Sequence, residues 1–205
     1  MMPITDFHHL QKPAAVAGRP RQFMPEAALQ SALEVFWRQG FEATSLDDLT
    51  CAMQLSRSSF YACFGSKQGV FMAAIQAYAD KCFSNFNEIS SAAPDPISAV
   101  RVILAAIADA DADGRARGCF FVNSVTELVP HDAELAAYSQ SHISRVAALV
   151  ADLLVRAGFA SPLAEERAGA VLALAMGAIT LRKAGLSATR IQGLLDQSNL
   201  LLRRP

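Results

Sequence analysis

The side chains best suited to chemistry in this 205-residue chain lie close together between Thr44 and Lys67, in TSLDDLTCAMQLSRSSFYACFGSK. At 3.6 residues per turn, a helix begun after Ser56 puts Ser58, Ser59 and Ala62 on one face and Arg57 and Tyr61 on its flank. Phe60 and Phe64 point the other way. Small side chains let a backbone enter a major groove, where hydroxyls and a guanidinium can bond to base edges or phosphates. The same spacing also fits an ordinary helical hairpin with a solvated serine face.

Other chemistries lack their parts. There is no glycine-rich phosphate loop, no metal-ligand spacing and no strand-borne nucleophile, so neither a catalytic residue, a metal nor a cofactor is expected. Cys51, Cys63, Cys82 and Cys119 show no paired spacing, and most read as small core residues.

The elements that must aim the polar face are legible. Ser45 and Asp48 form a capping-box pair that starts a helix near Leu46, with Leu49 and Met53 as its apolar stripe. Ser56 caps the second helix. From Met24 to Gln39, Ala28, Leu29, Ala32, Leu33, Phe36 and Trp37 recur at three and four, a buttressing helix ended by Gly40. Phe64-Gly65-Ser66 breaks the chain again. Lys67 then opens a long helix at the end where the dipole favours an anion, a conflict that a DNA phosphate would resolve; the alternative is a solvated lysine.

Ala32, Phe36, Gly40-Phe41, Thr44-Ser45, Asp48-Leu49, Leu55-Ser56-Arg57, Phe60-Tyr61, Phe64, Lys67 and Phe71, in this order and spacing, resemble the TetR family of bacterial transcriptional repressors. The resemblance runs from about Phe23 to Phe71. It implies an all-α protein of about nine helices, with a three-helix helix-turn-helix DNA-binding domain ahead of a helical regulatory and dimerisation bundle. It further implies a homodimer that binds double-stranded operator DNA and leaves it when a small molecule binds. Arg57, Ser58 and Ser59 are then expected to read bases, while Thr44, Ser45, Tyr61 and Lys67 serve the DNA contact, mostly at phosphates. One residue departs from the family pattern: Gln54 stands where the family usually has Gly, which costs roughly 1–2 kcal/mol if φ there is positive.

Composition sets outer limits. With 52% hydrophobic and 18% charged residues the chain can bury a sizeable core, and its net charge of −1 confines any nucleic-acid contact to local groups. No export signal or membrane span is expected, which suits a cytoplasmic protein. Three regions follow: an arm over 1–22, a DNA-binding domain over 23–66, and a ligand-binding and dimerisation domain over 67–205.

In the last region, helices are expected over 67–90, 97–112, 132–158, 162–184 and 188–202, with a short one that opens at Cys119-Phe120-Phe121-Val122-Asn123 and stops near Pro130. Phe83, Phe86, Ile103, Ile107, Phe120, Phe121 and Val125 concentrate apolar bulk, with Asn123 and Thr126 as orienting groups; this suits either a pocket for an apolar ligand or a filled core. Cys119, beside Gly118 and two arginines, reads as a pocket residue and either an electrophile sensor or a packed core thiol. Gly169, Ala173 and Gly177, spaced by four, and Leu194, Leu195 and Leu201 suit a close helix crossing in a dimer. The alternative function is a helical ligand-binding protein of this fold without specific DNA binding.

In the arm, Gly18-Arg19-Pro20-Arg21 sets Arg19 and Arg21 on a stiff extended backbone, either for a narrow minor groove or as a basic tail. Truncation before Phe23 is expected to lower operator affinity and keep the core sequence preference. Equal affinity of both forms at physiological salt would show that the arm is only a tail.

Overall fold

The structure is a computed structural model that describes residues 25–108 and 117–203. The arm, with Arg19 and Arg21, lies outside the described residues. Every regular element among those described is a helix. The chain divides into two compact units, Met1–Lys81 and Cys82–Pro205.

The first unit holds α1 (Pro25–Gln39), α2 (Leu46–Ala52), α3 (Arg57–Phe64) and the opening turns of α4 (Lys67–Ala92). Its centre is aromatic. Phe36 of α1 meets the edge of Phe71 of α4 at 5.1 Å and stacks with Phe41 at 6.0 Å, while Phe41 and Phe71 lie 4.9 Å apart. Trp37 and Tyr78 repeat the α1–α4 contact two turns further along α4, at 5.3 Å. These pairs, with Ile75 fully buried, explain why the boundary expected at 66/67 falls inside α4 instead. Its first turns are part of the first unit's core.

Both ends of α2 have a local cause. Asp48 N–H donates to Ser45 Oγ and Ser45 N–H donates to Asp48 Oδ2, so the capping box forms as expected. The Ser45 hydroxyl and amide together hold the Asp48 carboxyl below its ordinary range, and Gln39 of α1 donates to the same oxygen. At the other end of α2, Leu55 N–H reaches Thr50 O and Gln54 N–H reaches Cys51 O. That crossed pair is a Schellman closure, which needs a left-handed residue at Gln54. Gln54 has φ 54°, the one positive φ at a non-glycine residue among those described.

Gly69 explains the tight joint between α3 and α4. A Cβ there would lie 2.1 Å from Phe64 O, so only glycine lets the first turn of α4 pass the end of α3. Ser66 Oγ accepts from Gly69 N–H and caps α4, as the sequence suggested.

The second unit contains the rest of α4, then α5 (Pro96–Ala108), α6 (Phe120–Leu128), α7 (Ala133–Arg156), α8 (Ser161–Lys183), α9 (Ala188–Asp196) and α10 (Ser198–Leu201). Phe86, Val100, Ile103 and Leu104 pack with Val146, Val150 and Leu153 of α7 and with Ala164, Ala168, Val171 and Ala175 of α8. The alanines on the inner face of α8 let α5 and α7 approach closely. The single terminal helix expected over 188–202 is broken at Gln197. Beyond the break, Arg167 Nη1 donates to the carbonyls of Leu200, Leu201 and Arg203, so one guanidinium of α8 gathers the terminal acceptors.

Glycine in place of Gln54 removes the left-handed strain of roughly 1–2 kcal/mol and gives back about half through unfolded-chain entropy. Gln54→Gly is therefore expected to raise the melting midpoint by about 2–4 °C per net kcal/mol, read by thermal unfolding. A midpoint lower than that of the parent would mean that the glutamine side chain stabilises the turn.

Candidate nucleic-acid interface

The exposed end of the first unit is built on Ser56. Its hydroxyl accepts from Ser59 N–H and lies 2.9 Å from both Ser58 Oγ and Ser59 Oγ. A hydroxyl has one proton and two lone pairs. With one lone pair taken by the amide, one serine must donate to Ser56 and the other must accept from it. The first turn of α3 therefore presents one hydroxyl with only lone pairs to offer and one that still carries a proton.

Arg57 extends beside these serines. Its Nη2 donates to Asp47 Oδ1 of α2 at 2.7 Å, and this bond holds the guanidinium above its ordinary pKa. Tyr61, one turn along, is 53% exposed, whereas Phe60 between them is completely buried. The contrast between neighbouring positions defines the orientation of α3: an aromatic anchor inward, and Arg57, Ser58, Ser59, Tyr61 and Ala62 outward.

Two sequence-selected residues have other tasks. Thr44 is 2% exposed and its hydroxyl donates to Gly40 O, so its side chain fixes the α1–α2 loop rather than facing a phosphate. Lys67 Nζ donates to Phe41 O at 2.9 Å and Thr44 O at 3.0 Å and sits 4.2 Å from the centre of the Phe41 ring. The conflict between a cation and the start of α4 is thus met by two carbonyls and an aromatic face of the same loop. One of the three ammonium protons is left for a further acceptor. Ser45 is exposed and its hydroxyl and amide both bond Asp48. Asp47 is the residue that sequence reasoning missed. An acid at the second position of α2 reads as a helix-dipole partner, and only the fold brings it to Arg57.

In the second unit the proposed ligand residues fall into two groups. Phe86 and Ile103 belong to the main core, with Phe83 and Ile107 packed against it. Phe120 and Phe121 of α6 are buried, and Phe121 lies 4.7 Å from the ring of His142 on α7. Cys119 is partly buried at the start of α6, and none of the four cysteines is fully buried; Cys82 packs against the core, as expected of a core thiol. Cys51 is exposed, and partial burial pushes the Cys63 thiol up.

Asn123 donates to Arg117 O and accepts from Lys183 Nζ, and Thr126 is exposed with its hydroxyl on Val122 O and Asn123 O. Those two therefore hold backbone and helix ends. The inward polar groups are instead Ser139 and His142, which interrupt the apolar stripe Leu135, Val146, Val150 of α7. Ser139 Oγ is buried with no hydrogen-bond partner among the described residues, and His142 Nδ1 lies 3.2 Å from the Arg145 guanidinium, which covers the Phe83 ring. Two polar residues inside a heptad-like stripe were readable in the sequence.

On α8, Gly169, Ala173 and Gly177 are exposed, with open space beyond both glycines. Leu194 and Leu201 are half-buried, but Leu195 faces the core one turn from Ile191. The exposed leucines of this region are Leu181 and Leu200.

A capped, outward polar turn on a three-helix unit, followed by an all-helical second unit, defines a helix-turn-helix transcriptional regulator. Residues 28–74 match the family described as bacterial regulatory proteins, tetR family, and residues 96–196 match the C-terminal domain of LmrA/YxaF-like transcriptional regulators. The chain belongs to the TetR family of transcriptional regulators. It is 35% identical over 122 residues to the HTH-type regulator YezE of Bacillus subtilis (strain 168), covering 59% of this chain and 63% of that protein. It is also 35% identical over 121 residues to the repressor ComR of Escherichia coli (strain K12), covering 58% of each. The alignments thus span less than two thirds of these curated relatives. Among solved structures, a cysteine-substituted form of the TetR family regulator CifR bound to 26-bp operator DNA matches with a TM-score of 0.75 at 26% identity. That match covers 91% of this chain and all of the other.

Lys67→Met keeps the stem over Phe41 but removes two charge-assisted bonds to carbonyls, at a cost of roughly 1–2 kcal/mol for a part-buried cation. The melting midpoint is expected to fall with DNA absent, which a lysine serving only phosphates would not cause. An unchanged midpoint would return Lys67 to a purely DNA-facing role.

Proposed function

We propose that this protein is a ligand-responsive repressor that binds a near-palindromic operator as a homodimer and leaves it when a small molecule occupies the second unit. The observation that carries the DNA reading is the first turn of α3: Arg57, Ser58 and Ser59 exposed over a fully buried Phe60. A recognition helix needs that combination, since its outward side must enter a groove while its inward side stays fixed. CifR bound to operator DNA and the repressor ComR support it by likeness. Arg57, Ser58 and Ser59 read bases, and Ser45, Tyr61 and the remaining proton of Lys67 serve the backbone. Each protomer takes one half-site, the two about 34–36 Å apart.

The homodimer reading rests on the open Gly169, Ala173, Gly177 face and the exposed Leu181 and Leu200. Two copies of such a face cross closely and bury leucines that are otherwise wet. No helix of the described residues is long and apolar enough to cross a membrane, and the repressor reading places the protein with DNA in the cytoplasm.

The effector is a mostly apolar molecule held near Phe83, Phe120 and Phe121, oriented by the polar group of α7 at Ser139, His142 and Arg145. Helix α4 starts at the DNA-facing loop through Lys67 and continues without a break to Phe83 and Phe86, so it is the element able to relay the change. The reading without DNA binding draws on the net charge of −1. It draws nothing from Gln54, whose backbone adopts the glycine-like turn. A salt-dependent gel shift on genomic fragments separates the two.

Linkage tests the effector reading. A coupling of about 1–3 kcal/mol changes affinity by roughly 5–150-fold, and operator must weaken the effector by the same factor that the effector weakens operator. A ligand found by thermal-shift screening is titrated with and without operator. The expected result is weaker binding on DNA; identical affinities mean that this ligand is no inducer.

A further inference from the structure

We infer that Asp47 is a specificity-determining positioning residue, holding the Arg57 guanidinium so that it offers a base edge and not a phosphate. The inference rests on the DNA-binding reading above. Asp47 is on α2 and Arg57 opens α3, ten residues later, and their 2.7 Å contact spans the two helices. Their side chains are 74% and 65% exposed, and an ion pair so exposed contributes little to folding. The pair therefore needs a reason other than stability.

Geometry supplies one. Asp47 Oδ1 occupies Nη2, which restrains a long and otherwise mobile side chain to one direction at the start of α3. The guanidinium is a planar fork of five N–H donors, and engaging one end leaves donors for the paired acceptors of a guanine edge. The hydroxyl web on Ser56 fixes Ser58 and Ser59 beside it, so all three outward groups of this turn are held before DNA arrives. A carboxylate at this surface also repels phosphate. It lowers affinity for any sequence that offers Arg57 no base contact able to offset that repulsion, which raises discrimination at the expense of raw affinity.

The net charge of −1 acts in the same direction. With no general positive field, affinity depends on local groups, and a carboxylate beside the foremost arginine suppresses binding at random sites further.

The experiment begins with selection from a random duplex library by the full-length protein, then compares Asp47→Ala, Asp47→Asn, Arg57→Ala and the double variant on the selected sequence and its single-base changes. Asp47→Ala is expected to bind random DNA several-fold more tightly, with a steeper salt dependence. It should also lose about tenfold discrimination at one base pair in each half-site. In the Arg57→Ala background, adding Asp47→Ala should leave base preference unchanged, because the carboxylate acts through the guanidinium. Melting midpoints of every variant guard against misfolding, and Asp47→Asn keeps the acceptor while removing the charge. Parallel loss on all sequences, undiminished discrimination in Asp47→Ala, or a change in preference that persists without Arg57 would each overturn the inference. If the parent protein enriches no sequence, the DNA-binding reading itself fails.

Discussion

The presentation of α3 depends on how four residues, Met53 to Ser56, turn the chain between two helices. The Schellman closure at Gln54 ends α2, and Ser56 caps α3 without an intervening loop. With so short a connection, the crossing of the two helices has little freedom. Leu49 of α2, Met53 just past its end and Phe60 of α3 lock it by burial. The backbone accepts a non-glycine residue at φ 54° because both turn hydrogen bonds and the buried side chains depend on that conformation. Everything the outward face can do, including the meeting of Asp47 and Arg57, follows from this corner.

A second joint fixes that corner to the rest of the first unit. The Lys67 ammonium draws two carbonyls of the 41–44 loop onto the start of α4, and Phe41 contributes its ring both to the cation and to Phe71. Thr44 closes the loop from inside through Gly40 O. Gly69 then allows α4 to pass within contact of the Phe64 carbonyl. Charge, aromatic packing and the lack of a single Cβ act at one place, which fastens the base of α4 to the 41–44 loop and to the end of α3.

The second unit follows a different logic. Small residues dominate α8 on both sides: Ala164, Ala168 and Ala175 allow close packing inside, and Gly169, Ala173 and Gly177 leave the outside open. Arg167 ties the chain end back to α8 through three carbonyls, so the last helices are secured by one side chain as well as by Ile191 and Leu195. Lys183 does the same for the start of α6 through Asn123. Both ends of α8 thus hold other elements by basic side chains placed on their acceptors.

Apart from the break at Gln197, the sequence by itself determined the helices, because their causes are local: Ser45 with Asp48, Ser56 and Asp132 are caps that act within three residues, and the apolar stripes repeat at helical spacing. It likewise determined that Phe60 faces inward and Ser58 and Ser59 outward, and it marked Gln54 as the one residue at odds with its turn. What only the tertiary structure decided were the contacts made at long range. Lys67 meets carbonyls more than twenty residues earlier, Asp47 meets Arg57 from another helix, and Thr44 is buried despite a polar side chain in a loop. Leu195 is likewise buried beside Ile191 although its type and place in the sequence suit a dimer face equally well, because the packing of the last helices onto α8, and not periodicity, selects the side that is covered.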